Sequence, residues 1–196
     1  MARILVGCEF SGIVRDAFRA RGHDAWSCDL LLSEGDPRWH LQADIFTMLD
    51  RGWDLFIFHW PCTRLANSGV RWLYGGKGTT PDIDRWQAME DDANNFRLLL
   101  DAPIARVCGE NPIPHRYARE LMGDYSQVVQ PWMFGHPETK ATCLWLKNLP
   151  LIKPTNIVTG RQPRVHYESP GPDRWKRRSR TLPGIAAAMA EQWSNP

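Results

Sequence analysis

The sequence has no Cys-x-x-Cys pair and no His-Glu-x-x-His spacing, so neither a structural zinc site nor a catalytic metal is expected. Its five cysteines, Cys8, Cys28, Cys62, Cys108 and Cys143, are odd in number and widely spaced, which argues against a disulfide framework. No apolar run approaches the roughly 18–20 residues of a membrane span. Met1-Ala2-Arg3 leads straight into a strand-like segment, and a soluble, cytoplasmic protein is expected. Internal repeats and low-complexity tracts are lacking too. Charge of neither sign dominates: Lys plus Arg is 24 and Asp plus Glu is 22, a net charge of +2. That excludes binding of nucleic acid through bulk charge alone and leaves only a local basic patch.

What is present fits one domain over residues 1–196, with 43% apolar and 23% charged residues. Ten tryptophans are more than a chain of this size can bury, so several are expected to be partly exposed or to line a cleft. Residues 3–8 form a β-rich run, a turn follows at 9–12, and helical periodicity runs over 13–21 to a C-cap at Gly22. A second strand covers 23–30 and a third short element ends at Asp44-Ile45. Residues 54–59 are a continuous apolar run, as in a buried parallel strand. A helix is expected over 82–101, where Trp86, Met89, Ala93, Phe96, Leu99 and Leu100 recur at spacings of three and four. A buried strand at 104–108 is read as halted by Gly109-Glu110-Asn111-Pro112, an antiparallel strand is expected at 142–146, and a last helix at 184–193. The alternation indicates an α/β fold, a mostly parallel sheet with helices on both faces.

In such sheets ligands bind beyond the carboxyl ends of the strands. Those ends carry Glu9 to Gly12, Asp29, Asp44, Pro61-Cys62 and Glu110-Asn111. Gly12 suits either a tight βα turn or a close approach of a nucleotide to a helix N-terminus. Asp29, seventeen residues further on, stands where an acid commonly binds ribose hydroxyls. Asp44 can read an adenine amino group or simply sit exposed at a strand end. Cys62 follows a proline and precedes Thr63-Arg64-Leu65-Ala66-Asn67-Ser68-Gly69; a partly exposed thiol near Arg64 can act as a nucleophile. The other four cysteines read as small core residues. Glu110 should lie across from Cys62, with its pKa raised by apolar surroundings, as an acid or donor, or else as a tethering carboxylate. Arg174-Trp175-Lys176-Arg177-Arg178-Ser179-Arg180 is either a solvated segment or a phosphate-facing patch with a tryptophan for base stacking.

Taken in order, these residues resemble the cytosine-C5 methyltransferases. Phe10-Ser11-Gly12 is similar to the S-adenosylmethionine-binding F-x-G-x-G turn, Asp29 to the ribose-holding acid, and Asp44-Ile45 to the residues beside the adenine. Pro61 to Gly69 resembles the nucleophile loop P-C-Q-x-F-S-x-A-G over nine positions, which places Pro61, Arg64, Asn67 and Ser68 beside the substrate. Glu110-Asn111-Pro112 is similar to E-N-V, and Pro137-Glu138-Thr139-Lys140 occupies the place of P-Q-x-R. The helix after Pro183 resembles the last motif, which returns to the cofactor pocket. Val14 replaces the second cofactor glycine, Trp60 the first proline of Pro-Pro-Cys, and Lys140 and Thr142 two arginines. Only about 35 residues separate Trp145 from Arg180, where the family inserts a target-recognition domain, so the chain looks like a minimal form without it.

The resemblance implies a Rossmann-like class I methyltransferase fold with S-adenosyl-L-methionine as cofactor. It implies methyl transfer to C5 of cytosine through a Cys62–C6 adduct, with Glu110 holding the N3 and N4 edge. Asn111, Lys140, Arg177 and Arg178 would bind substrate, either cytosine-containing DNA or a free cytidine nucleotide, with a lean towards DNA. A duplex substrate would require flipping of the base. The alternative is a non-catalytic nucleotide- or nucleic-acid-binding protein that retains the fold; transfer to uracil is a third possibility. Neither a metal nor a membrane is expected as partner.

Overall fold

The computed structural model describes residues 1–75 and 79–194. The apolar runs of the first half become short parallel strands: β1 (Arg3–Gly7), β2 (Asp24–Asp29), β3 (His40–Gln42) and β4 (Leu55–Phe58). β5 (Arg106–Pro112) continues them, and β6 (Gln127–Val129) and β7 (Thr142–Lys147) complete the sheet. Among the described residues these seven strands form one sheet in the order β3-β2-β1-β4-β5-β7-β6. Only β7 opposes its neighbours, pairing antiparallel with β5 and β6.

Side chains alternate between the faces of a strand, and both faces here are covered, which is why β1 and β4 read as unbroken apolar runs. On one face Ile4, Val6, Leu55 and Ile57 pack with Val14 and Phe18 of α1 (Ile13–Arg19) and with Met189 and Trp193 of α5 (Pro183–Trp193). On the other, Leu5, Phe56 and Phe58 meet Met89, Ala93 and Phe96 of α2 (Ile83–Leu100) and Ala118 and Met122 of α3 (Arg116–Met122). The α/β architecture with helices on both faces is as expected. A short helix, α4 (Arg174–Ser179), carries the basic run.

Several boundaries differ from expectation. β5 does not halt before Glu110: Glu110, Asn111 and Pro112 pair with Leu144, Cys143 and Thr142 of β7, so Gly-Glu-Asn-Pro is ladder rather than turn. The partner strand begins thirty residues after β5 ends, and no local signal announces it. α1 ends at Arg19 with Ala20 as its cap, and Gly22 (φ 84°) takes the left-handed turn into β2. The third element ends at Gln42; Asp44 instead caps a 3-10 turn at Ile45–Thr47, its carboxylate accepting from Phe46 N at 3.0 Å. Cys8 packs half-buried against the core, as expected, and also borders the cleft described below, at a positive φ of 55°. Among the described residues no helix is long and apolar enough to cross a membrane.

Candidate active site

β1 lies between β2 and β4, so the connections on its two sides diverge and leave a crevice at the strand ends. The crevice is a cleft of about 700 Å³. One half is lined by Cys8, Phe10, Ser11, Asp29 and Leu31, from the ends of β1 and β2. The other half is lined by His59, Trp60, Pro61, Cys62 and Ser68 after β4, Glu110 and Asn111 on β5, and Lys140 before β7. Val165, His166, Trp175, Arg178, Arg180 and Thr181 close it from the C-terminal side.

Cys62 is half-buried where the chain leaves β4. Its loop folds back tightly: Leu65 and Ala66 donate to Cys62 O at 3.1 and 2.8 Å, and a Cβ on Gly69 would strike Thr63 O. Burial lifts the thiol above its ordinary pKa, and Lys140 and Arg178 oppose the rise without reversing it. Arg64 is not the neighbouring cation; it points away and pairs with Asp92 at 2.8 Å.

Glu110 behaves opposite to expectation. Burial would raise its carboxyl, but His59 Nδ1 at 2.8 Å, with Lys140 and the Thr181 hydroxyl at 3.4 Å, outweighs burial and holds it below the carboxylate range. His59 mirrors this: burial would lower it, yet Glu110 and, behind it, Glu9 leave it raised. The two side chains are 14% and 11% exposed, and each favours the charged form of the other.

Eight buried side-chain nitrogens and oxygens lack a hydrogen-bond partner among the described residues. Five belong to cleft residues: His59 Nε2, Trp60 Nε1, Glu110 Oε1, Asn111 Oδ1 and Arg178 Nε. Buried polar atoms are otherwise paired almost everywhere in folded proteins. Their concentration here marks a surface built for a polar ligand that brings both donors and acceptors.

The residues at the β1–β2 end fit an adenosine group. Asp29 lines the cleft with Oδ1 accepting from Leu31 N at 2.9 Å, a carboxylate of the kind that accepts hydrogen bonds from a vicinal diol. Leu31 stands exposed beside it in the cleft lining, and Trp60, edge-on to Phe46 at 5.9 Å, lines the cleft as well, two apolar surfaces for a flat ring. Glu9 does not face the cleft with a free charge. Its carboxylate caps α1, accepting from Val14 N at 2.7 Å and Arg15 N at 3.2 Å, and burial raises its pKa.

The cleft thus brings together Cys62, Glu110, Phe10, Ser11, Asp29, Pro61, Ser68, Asn111, Lys140 and Arg178. It does not bring Gly12, Asp44, Ile45, Arg64, Asn67 or Arg177 to its lining. Gly12 (φ 72°) starts α1 with the Arg15 guanidinium against it; Asp44 caps the 3-10 turn; Ile45 is buried in the core. Arg177 pairs with Glu168 on the outside of α4. His59, Thr181 and Trp72 were not among the expected site residues. His59 closes an apolar run and reads there as a strand terminus, and only the β4–β5 pairing reveals its carboxylate partner.

A strand order of 3-2-1-4-5-7-6 with the seventh strand antiparallel is the class I methyltransferase-type, Rossmann-like arrangement. No family model matches the chain, and neither does any curated protein. Among solved structures, a DNA modification methyltransferase encoded within an E. coli prophage aligns at 18% identity and TM-score 0.44, over 87% of this chain and 56% of that one. The S. pombe Dnmt2 methyltransferase aligns at 14% identity and TM-score 0.46, over 85% and 54%. The chain spans little more than half the length of either. Among the described residues no group of three His, Cys, Asp or Glu side chains is arranged to hold a metal ion.

Proposed function

We propose that the protein transfers a methyl group from S-adenosylmethionine to C5 of cytosine, with Cys62 as nucleophile. The observation that carries this reading is the junction of a strand-end thiol, a buried carboxylate paired with His59 and unpartnered donors and acceptors in one cleft beside an adenosine-fitting half. When bound, the cofactor would supply an electrophilic methyl group and leave as S-adenosylhomocysteine, its sulfur keeping the electron pair of the broken S–CH3 bond; Asp29, Phe10 and Leu31 would hold it.

Cytosine offers two N4 protons and accepts at N3 and O2. Glu110 Oε1 accepts from N4, and His59 Nε2 is the nearby protonated donor for the acceptor edge. Cys62 Sγ, as thiolate, adds to C6 and places the electron pair on C5, where it forms the new bond to carbon. Loss of the C5 proton to water and expulsion of Sγ restore the aromatic ring and the thiolate. Lys140, whose own pKa burial lowers, favours the thiolate of Cys62 and the charged form of Glu110.

The test is transfer of labelled methyl from S-adenosylmethionine to duplex DNA, single-stranded DNA, RNA and free cytidine nucleotides. Label in one acceptor that falls by at least about a thousandfold in Cys62→Ala is expected for loss of a covalent nucleophile. Undiminished transfer by Cys62→Ala would overturn the covalent route. Cofactor binding without transfer to any acceptor would leave a binding protein of the same fold.

A further inference from the structure

The basic run of α4 invites the idea of a track for a phosphate polymer, but its charges are already committed. Lys176 pairs with Asp173 at 3.7 Å, Arg177 with Glu168, and Arg180 with Glu34 at 2.7 Å. Arg174 donates to the backbone carbonyls of Glu168 at 2.8 Å and His166 at 3.2 Å. Arg178 alone of the five has no partner among the described residues, and its Nε is buried on the cleft side. Arg178 lines the same cleft of about 700 Å³ as Cys62, and its charge acts on both Cys62 and Lys140.

The segment that carries Arg178 is tied across the cleft rather than laid open beside it. Lys140 Nζ donates to Arg180 O at 3.0 Å, Thr181 reaches Glu110, and Trp175 packs edge-on to Phe10 with centroids 5.8 Å apart. Of the other cleft-lining arginines and lysines, Lys140 and Arg180 are engaged as described, and Arg71 stands exposed on the rim with its guanidinium 4.6 Å over Trp72. One inward guanidinium under a tethered cover matches one phosphate, since a planar fork meets a phosphate bidentately. A polymer would need a row of unpaired cations along the rim.

We propose that the substrate is a free cytidine nucleotide, cytidine 5′-monophosphate or its deoxy form, with its base between Cys62 and Glu110 and its phosphate on Arg178. This rests on the transfer reading above and narrows it from cytosine in general to a monomer.

The experiment compares kcat/KM for the 5′-monophosphates, the nucleosides and single- and double-stranded DNA, with calorimetric binding of the monophosphate and nucleoside alongside. The monophosphate is expected to exceed the nucleoside by at least about tenfold in both kcat/KM and affinity. A shallow log–log salt dependence is expected for the monophosphate, which has no condensed counterion atmosphere to release, against a steep one for a polymer. Arg178→Gln should compress the ratio of monophosphate to nucleoside. Label in DNA with none in any nucleotide overturns the monomeric substrate and leaves the transfer reading standing. Phosphate-dependent binding without label in any acceptor supports the nucleotide site and overturns the transfer reading. Equal monophosphate and nucleoside affinities, or a ratio that Arg178→Gln leaves untouched, overturn the role of Arg178.

Discussion

At the scale of single residues, the site is governed by how burial and charge oppose one another. Removing His59 would strand the Glu110 carboxylate without its counter-charge, so His59→Gln is expected to destabilise the fold by about 2 kcal/mol near neutrality. The pH dependence of that difference has a definite shape. Glu110 is held low in the fold, so its contribution is present above the ordinary carboxylate pKa and is lost as pH falls through the lowered value. His59 is held high, so its contribution is complete below the ordinary imidazole pKa and is lost as pH rises through the raised value. Denaturant unfolding of the two proteins should therefore differ most between the carboxylate and imidazole ranges and converge on either side. A difference flat from about pH 4 to about pH 8 would show that the pair is not ionic. None of this was legible from residue types alone. Cys62 and Glu110 could be singled out because a thiol after a proline and a carboxylate after a buried run are unusual. The partner that reverses the expected Glu110 shift comes from another strand and needed the sheet register to be seen.

At the scale of elements, β5 and the strand beside it decide where the carboxylate stands. Phe58 of β4 registers with Gly109, and Glu110 follows where β4 has ended, so one side of the carboxylate opens to the cleft while β7 holds the other. The strand can pass there only because Gly109 has no side chain: a Cβ would lie 2.7 Å from the Phe58 ring and 2.7 Å from that of Phe96. Gly109→Ala should cost about 1–3 kcal/mol by overpacking, seen as a Tm lower by several degrees, and should reduce turnover by shifting Glu110. An unchanged Tm would mean that the two rings have room that the packing does not show. Elements whose own residues carry the pattern were readable in advance. α2 follows from its three- and four-residue spacing, and β4 from an apolar run buried on both faces. β6, with three residues, and α3, with seven, carry too little periodicity to stand out, and they form because β7 and α2 give them a surface. The Gly-Glu-Asn-Pro stretch misled for a related reason. Its composition favours a turn locally, and the antiparallel ladder with β7 overrides that preference.

Across the whole molecule, stability and access are divided between two parts of the chain. The sheet and its four flanking helices bury two apolar layers, whereas the described residues between β7 and α4 form neither strand nor helix and are mostly exposed. That stretch leads into the cover over the cleft, whose ties include the half-exposed Arg180–Glu34 pair, worth little by itself in water. Low local stability concentrates where backbone hydrogen bonds are few and solvent-exposed. Trypsin should therefore cut first after Arg161 or Arg164, both exposed, well before any site in the sheet. S-adenosylmethionine and a cytidine monophosphate together should slow those cuts, because a ligand seated between Cys62 and Arg178 binds the covered form and draws the population towards it. Mass spectrometry of the first fragments, with and without the two ligands, measures both effects. First cuts inside α1 or α2 would show that the cover is as stable as the sheet. Protection by the nucleotide at Arg161 and Arg164, with none at the N-terminal arginines, would place its binding energy in the closing of the cover.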